Sequence, residues 1–274
     1  MTSPSTYVLD QSEAELDRLI FVSRFLAPAV TEACRRAGLS QGGRAIDVGC
    51  GPLGALEALV EIVGPEGSVV GVDADDAALG TASAALQRLR ADGIRLIRAD
   101  ANDLTPDGVG ISGFDLAFCR LVLMHQPDPA HTMARIASLL RPGGTLVAID
   151  FFAPPVCFPA HAEVTRAWDL VIQAMRIRGA SPDTSRRYRE FCARAGLEVV
   201  SERGQFFPIP AAAVVSEAAV LLAGARSTIE RSGLCSSAEV DGLLAALRTD
   251  QLPAGSAAYS PQAIELIART PPAA

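Results

Sequence analysis

The stretch AIDVGCGPLG, residues 45–54, decides the reading of this chain. Ala45–Val48 is a short apolar run of strand type. Gly49, Cys50 and Gly51 then turn the chain sharply, and a helix is predicted over residues 54–63, ended by Gly64-Pro65. Glycine suits such a turn because it tolerates positive φ and lets a ligand approach the backbone. The helix beginning beyond the turn offers unpaired N–H groups to a polar ligand. Gly49, Gly51 and Gly54 match G-x-G-x-x-G, which by itself is a weak fingerprint.

Outward from the turn, strands alternate with helices. Strands are predicted at 68–72, 94–97, 114–119 and 145–149, with helices at 75–89 and after Asp128-Pro129, a favoured cap and first-turn pair. Looser signals add helices at 160–178 and 186–194, a strand at 197–201, Ala/Leu-rich helices over 211–248 and a last strand at 264–268. Such alternation implies an α/β, Rossmann-like architecture: a seven-stranded, mostly parallel sheet with helices on both faces. Towards the N-terminus, Ser12 and Glu15 form an S-x-x-E capping box. Pro28 is expected to interrupt the helix that follows, and a second helix ends at Gly38. Phe151–Pro159, with three prolines and three phenylalanines, reads as an irregular apolar loop. The expected organisation is one domain over 1–274: N-terminal helices to residue 40, a cofactor-binding core over 41–152, and substrate-side helices and last strands over 153–274.

Composition narrows the function. A hydrophobic content of 49% provides a sizeable core, and the net charge of −7 argues against nucleic acid. Arg186, Arg187 and Arg189 read as a solvated helix face. The six cysteines show no C-x-x-C spacing, so neither a zinc site nor a redox motif is indicated, and no metal is expected. The N-terminus lacks a signal-peptide pattern, and no apolar run reaches the roughly 18–20 residues of a membrane span. A cytoplasmic protein is therefore expected, with reduced thiols and no membrane partner.

Three carboxylates sharpen the reading of the turn. Asp73 closes the second strand, about 20 residues on, where a carboxylate accepts hydrogen bonds from ribose hydroxyls. Asp47 lies two residues before Gly49; it would repel a pyrophosphate but favour a ligand carrying an ammonium group and a sulfonium. Asp100 closes the third strand, within reach of an adenine amino group. An S-adenosylmethionine enzyme is thereby favoured over a nicotinamide dehydrogenase. The segments DVGCGPLG, VVGVDADD, RADANDL, FDLAFCRLVLMHQPDP and LLRPGGTLVAID, in order over about residues 44–150, resemble the successive motifs of class I S-adenosylmethionine-dependent methyltransferases. The flanking segments more loosely resemble the small-molecule enzymes of bacterial secondary metabolism.

That resemblance implies roles residue by residue. Gly49, Cys50 and Gly51 would line the methionine and ribose portion of S-adenosyl-L-methionine. Asp73 would hold the ribose, with Ala74 against the adenine, and Asp100 and Ala101 would read the adenine edge. Cys119 and Arg120 would lie under the cofactor, while Tyr7 and Arg18 would reach the methionine end. Many family members carry a glycine where Leu53 stands; here it comes one position later, at Gly54. No D/N-P-P-Y/F sequence follows the fourth strand, which argues against an amino-methylating DNA enzyme.

For the chemistry, His125, just beyond the fourth strand, is the first candidate base, and His161 the second. His131 is expected to be exposed. Phe151, Phe152, Phe158 and Trp168 would wall an apolar substrate pocket or pack in the core. The helices over 211–248 would form a lid or a homodimer surface. O- or C-methylation of a small molecule is the favoured activity. The same fold could instead catalyse cyclisation, rearrangement or decarboxylation, because cofactor motifs say nothing about whether the methyl moves.

Overall fold

The computed structural model describes residue 9 and residues 12–88, 94–249 and 252–273. Its frame is a seven-stranded sheet in the order β3-β2-β1-β4-β5-β9-β7. The strands are β1 (Arg44–Val48), β2 (Ser68–Asp73), β3 (Ile94–Arg98), β4 (Phe114–Arg120), β5 (Leu140–Ala153), β7 (Glu198–Gln205) and β9 (Gln262–Arg269). The first five run parallel, and β9 lies antiparallel to both β5 and β7. The order reverses between β1 and β4. At such a switch point the loops diverge to opposite faces and leave a crevice beyond the carboxyl ends of the strands. The turn after Val48 opens onto that crevice.

Side chains alternate across the sheet and build two cores. Leu116, Phe118, Val147 and Ile149 pack with α1 (Glu13–Arg36), α2 (Leu56–Val63) and α3 (Asp76–Arg88). Ile46, Val48, Ala117 and Cys119 face the other way, with Tyr188, Phe191 and Met133. That layer contains α4 (Pro106–Val109), α5 (Pro129–Ala137) and α7 (Tyr188–Ala195). A third core, over the carboxyl end of the sheet, forms a cap. It combines α6 (Ala162–Ile177), α8 (Ala211–Arg231), α9 (Ser237–Thr249) and a two-stranded ribbon of β6 (Val156–Phe158) with β8 (Ala257–Tyr259). The stretch 206–261, which carries α8, α9 and β8, lies between the paired strands β7 and β9. Phe207 and Ser260 tie its two ends: Phe207 N–H donates to Ser260 Oγ (3.1 Å) and Ser260 N–H to the Phe207 carbonyl (2.8 Å).

Several local expectations change. Ser12 caps α1 as predicted, accepting from Glu15 N–H at 3.1 Å, but Pro28 does not interrupt the helix. Pro28 lies on the exposed face of α1, so the Arg24 carbonyl that loses its helical partner faces water. The helix after the glycine turn begins at Leu56, because Gly54 is held at φ +53. The expected irregular loop at 151–159 is largely extended: β5 runs on to Ala153, and Val156–Phe158 pairs with β8, a strand too short to be read in sequence. Among the described helices, α8 alone has the length and apolarity to cross a bilayer, with a mean hydropathy of 1.4 over 18 residues. That amends the expectation that no segment does; half of that window is buried, against α6 and α9.

Candidate active site

The glycine turn is held from below by strand ends and carboxylates. Gly49 and Cys50 N–H both donate to the Val72 carbonyl, at 2.7 and 3.0 Å. Gly51 N–H donates to Asp73 Oδ2 (2.7 Å), and Asp75 N–H to Asp73 Oδ1 (2.9 Å). Asp47, buried on β1, accepts from Ala55 N–H at 2.7 Å, so it caps α2 from eight residues away. These N–H groups are therefore consumed inside the protein. Two carboxylates flank the turn where a dinucleotide site would bring a pyrophosphate against N–H groups. Burial pushes Asp47 up to about 7, against the pull of Ala55 N–H and of Arg120, and burial also raises Asp73.

The three glycines of the turn differ in what lies around them. A Cβ on Gly49 would strike Val122 Cγ2, and one on Gly54 would strike Asp47 Oδ2 and, at 2.5 Å, the Cys50 carbonyl. A Cβ on Gly51 would meet nothing within 4 Å, although φ there is +54. Gly51 thus borders the open space above the turn. Gly51→Ala should cost only about 1–2 kcal/mol of stability for its left-handed backbone, while filling the space a ligand would use. Gly54→Ala should unfold the turn itself. Thermal melts and ligand titrations of both variants should show opposite imbalances: lost affinity at position 51, lost stability at position 54.

Beyond the turn, Ala74 is exposed and Asp100 caps the next short helical turn, accepting from Asn102 N–H (2.9 Å) and its side-chain amide (3.0 Å). Asn102 then reaches the loop after β4, donating to Gln126 Oε1 (2.7 Å) and accepting from the Thr132 hydroxyl (2.5 Å). Sequence reasoning missed Asn102 and Gln126; an amide two residues past a strand-ending aspartate was the available signal. Ala101, at the start of that turn, is half-buried.

Arg120, at the end of β4, points towards α1, and its Nη2 donates to Ser23 Oγ at 2.8 Å. Its Nη1 is buried without a hydrogen-bond partner among the described residues. Cys119 faces the opposite core and is fully buried, which drives its thiol pKa well up. It contributes packing beneath the site, and Cys50 and Cys34 are likewise held protonated by burial. The Arg18 side chain is 8% exposed. Glu15 holds it in a bidentate pair (2.7 and 2.7 Å), with Glu217 of α8 at 3.4 Å. Tyr7 lies outside the described residues.

The candidate bases separate. His125 ends a short 3-10 turn, Leu123–His125, directly beyond β4. Burial, and secondarily the charge of Arg18, push its pKa down to about 4, so the imidazole is neutral at physiological pH. One ring nitrogen then donates and the other accepts, and the ring is a weaker base than an ordinary histidine. His161, buried at the N-cap of α6, lies 3.1 Å from Glu163 Oε2. His131 is exposed, as expected. Leu121 is held at φ 56, the one non-glycine left-handed backbone among the described residues. Strain of this kind, between Arg120 and Val122, marks the point where β4 leaves the sheet and sends Leu121 to the cap core. Of the four aromatic candidates, Phe151 and Trp168 meet each other, whereas Phe152 and Phe158 are 36% and 59% exposed. Among the described residues no cluster of His, Cys, Asp and Glu could hold a metal ion.

Known proteins resemble this chain in sequence and in fold. The methyltransferase domain family matches residues 39–186. The ubiquinone biosynthesis O-methyltransferase of Aromatoleum aromaticum is 37% identical over 179 residues, covering 63% of this chain and 71% of that protein. Across trans-aconitate and demethylmenaquinone methyltransferases the match spans less of the relative, 40% and 51% of the length of the first of each. In three dimensions the fold is shared with the BH2331 protein of Bacillus halodurans C-125 (TM-score 0.61, 16% identity, 89% of this chain and 99% of that one). It is also shared with the [4+2]-cyclase SpnF (TM-score 0.56, 18% identity, 90% and 82%).

Proposed function

This chain belongs to that methyltransferase domain family, whose cofactor is S-adenosyl-L-methionine, and from this premise we propose that it methylates an oxygen or carbon of a small molecule. The observation that carries the reading is the pair of carboxylates, Asp47 and Asp73, closing the glycine turn on one side, with the buried Nη1 of Arg120 on the other. The residues suit the group. Gly51 leaves room for a ribose, Asp73 accepts from its hydroxyls, Asp47 favours the ammonium group, and Arg120 offers a donor to the carboxylate. Ala74, Asp100 and Ala101 bound the adenine, and Arg18 supports the amino-acid end through its charge. When bound, the cofactor supplies an electrophilic methyl group on a sulfonium. The protein's part is alignment of the acceptor, worth roughly 7–11 kcal/mol when well executed. His125, neutral and only a weak base, would orient the acceptor's hydroxyl by accepting a hydrogen bond from it.

Calorimetric titration with S-adenosylhomocysteine, with NAD as control, tests the site; binding of NAD alone would overturn it. Methyl transfer is tested by formation of S-adenosylhomocysteine with turnover. Turnover without it would move the chain to the non-methylating alternative, of which the cyclase SpnF has the same fold.

A pH dependence follows from Asp47. Its pKa stands near 7 without ligand, and an ammonium group beside it favours the ionised form, so binding releases a proton. Affinity for S-adenosylhomocysteine should therefore rise from pH 6 to pH 8 and level off above it. Asp47→Asn should flatten the curve.

A further inference from the structure

Trp168 is the chain's one tryptophan. It lies on α6, is 7% exposed, and packs in the cap core with Met124, the neighbour of His125. Its ring meets Phe151 edge to face, with centroids 6.3 Å apart and planes at 72°. Phe151 stands two residues beyond Ile149 on β5, and Ile149 is the register partner of Arg120. Residues two apart on a strand share a face, so Phe151 follows Arg120's side of the sheet towards the cap, where it touches both the cap core and the sheet core. Leu121, released by its left-handed backbone, packs there too. The indole thus meets Phe151, from the end of β5, in the core that Leu121 and Met124 join from beyond β4.

Within this apolar setting the indole Nε1 is buried and has no hydrogen-bond partner among the described residues. A buried donor without an acceptor costs about 1–3 kcal/mol. A phenylalanine would keep an aromatic ring there without a polar atom to satisfy. Of the buried polar groups nearby, the Tyr188 hydroxyl donates to Asp150 Oδ2 at 2.8 Å and Ser185 Oγ to the Phe151 carbonyl at 3.0 Å, while Arg120 Nη1 and Asp150 Oδ1, like the indole, have no partner among the described residues.

We infer that Trp168 is the specificity-determining donor of the acceptor site, and that the substrate is a flat, apolar molecule carrying a neutral carbonyl oxygen that accepts from the indole N–H. This deepens the methyl-transfer reading and rests on it. Aromatic walls from Phe151 and Trp168 favour a planar partner. Leu121, Met124 and Phe151 would desolvate a charge without compensating it, so a neutral oxygen fits where a carboxylate does not.

One tryptophan gives one indole cross-peak in a proton–nitrogen correlation spectrum, and that signal reads the hydrogen bond directly. The probes are protocatechualdehyde and 4-methylcatechol, which share ring and hydroxyls and differ in the carbonyl, each titrated with and without S-adenosylhomocysteine. The aldehyde should move the indole proton downfield saturably and bind about tenfold more tightly than the methylcatechol, the worth of one hydrogen bond. Trp168→Phe should bring the aldehyde down to the methylcatechol's affinity and leave S-adenosylhomocysteine affinity unchanged. The inference is overturned if neither probe binds at millimolar concentration, if the bound aldehyde leaves the indole signal in place, or if Trp168→Phe keeps the preference. It is equally overturned if S-adenosylhomocysteine alone moves the signal to its final position. Failure of the cofactor to bind would count against the proposed function alone, since the titration without it still reads this pocket.

Discussion

Asp73→Ala should lower affinity for S-adenosylhomocysteine by about 100-fold or more. Two hydrogen bonds from ligand hydroxyls to an ionised acceptor are worth roughly 1.5–3 kcal/mol each, and each 1.4 kcal/mol is a factor of ten. A second loss adds to this, because the same carboxylate holds Gly51 N–H at 2.7 Å and Asp75 N–H at 2.9 Å. Without it Gly51 loses its tie to β2, while Gly49 and Cys50 keep theirs to the Val72 carbonyl. Asp73→Asn separates the two roles. Its amide oxygen can keep one backbone bond, so the turn should stay folded while the charge-assisted ribose contacts weaken. Calorimetry on both variants, beside their melting temperatures, checks this. An alanine variant that binds normally would mean that the ligand does not pass over this carboxylate.

Arg18→Met should destabilise the protein by about 3–5 kcal/mol at neutral pH, the usual result of removing one partner from a buried ion pair. Arg18 and Glu217 are each 8% exposed at the side chain, and Glu15 is 5% exposed. Without the guanidinium, two carboxylates share a buried space. The sign of the pH dependence is fixed by burial, which already raises Glu217 above its ordinary pKa against the opposing pull of Arg18. Removing Arg18 raises it further. A carboxyl whose folded pKa exceeds its unfolded one contributes stability at low pH and loses it as the pH rises through the folded value. The deficit of Arg18→Met should therefore shrink near pH 5 and widen near pH 8. Denaturant unfolding at the two pH values measures it. A deficit that does not change with pH would mean that lost packing, not charge, sets the cost.

What the sequence made legible was local. The alternation of apolar strands and helices, the glycine turn and the Ser12 and Asp128 caps all depend on residues within a few positions of one another. The α/β sheet and the place of the glycine turn at the end of β1 follow from them. What escaped was set by distant contacts. Asp47 reads as a ligand-facing carboxylate, and its cap on Ala55 needs the turn already folded. Arg18 meets Glu217 across 199 positions, a pairing no spacing announces. The low pKa of His125 depends on burial and on Arg18, so its residue type alone overstated its basicity. Pro28 shows the converse: a reliable local rule yielded because the face it occupies is wet. β6 and β8, three residues each, carry too little pattern to be read, yet their pairing helps to seat the cap.

The tie between Phe207 and Ser260 has an evolutionary and practical meaning. Everything from Phe206 to Pro261 leaves the sheet and returns to it at nearly the same point, between two strands already paired. Closing a long excursion costs little more than closing a short one, since the entropy grows only with the logarithm of its length. The excursion can therefore be lengthened, shortened or exchanged for another helical unit while β7, β9 and the glycine turn keep their register. The sheet with its glycine turn is thus a fixed socket, and the excursion an interchangeable head. Grafting the equivalent excursion from a relative onto this base should change which acceptor is taken while leaving the cofactor in place.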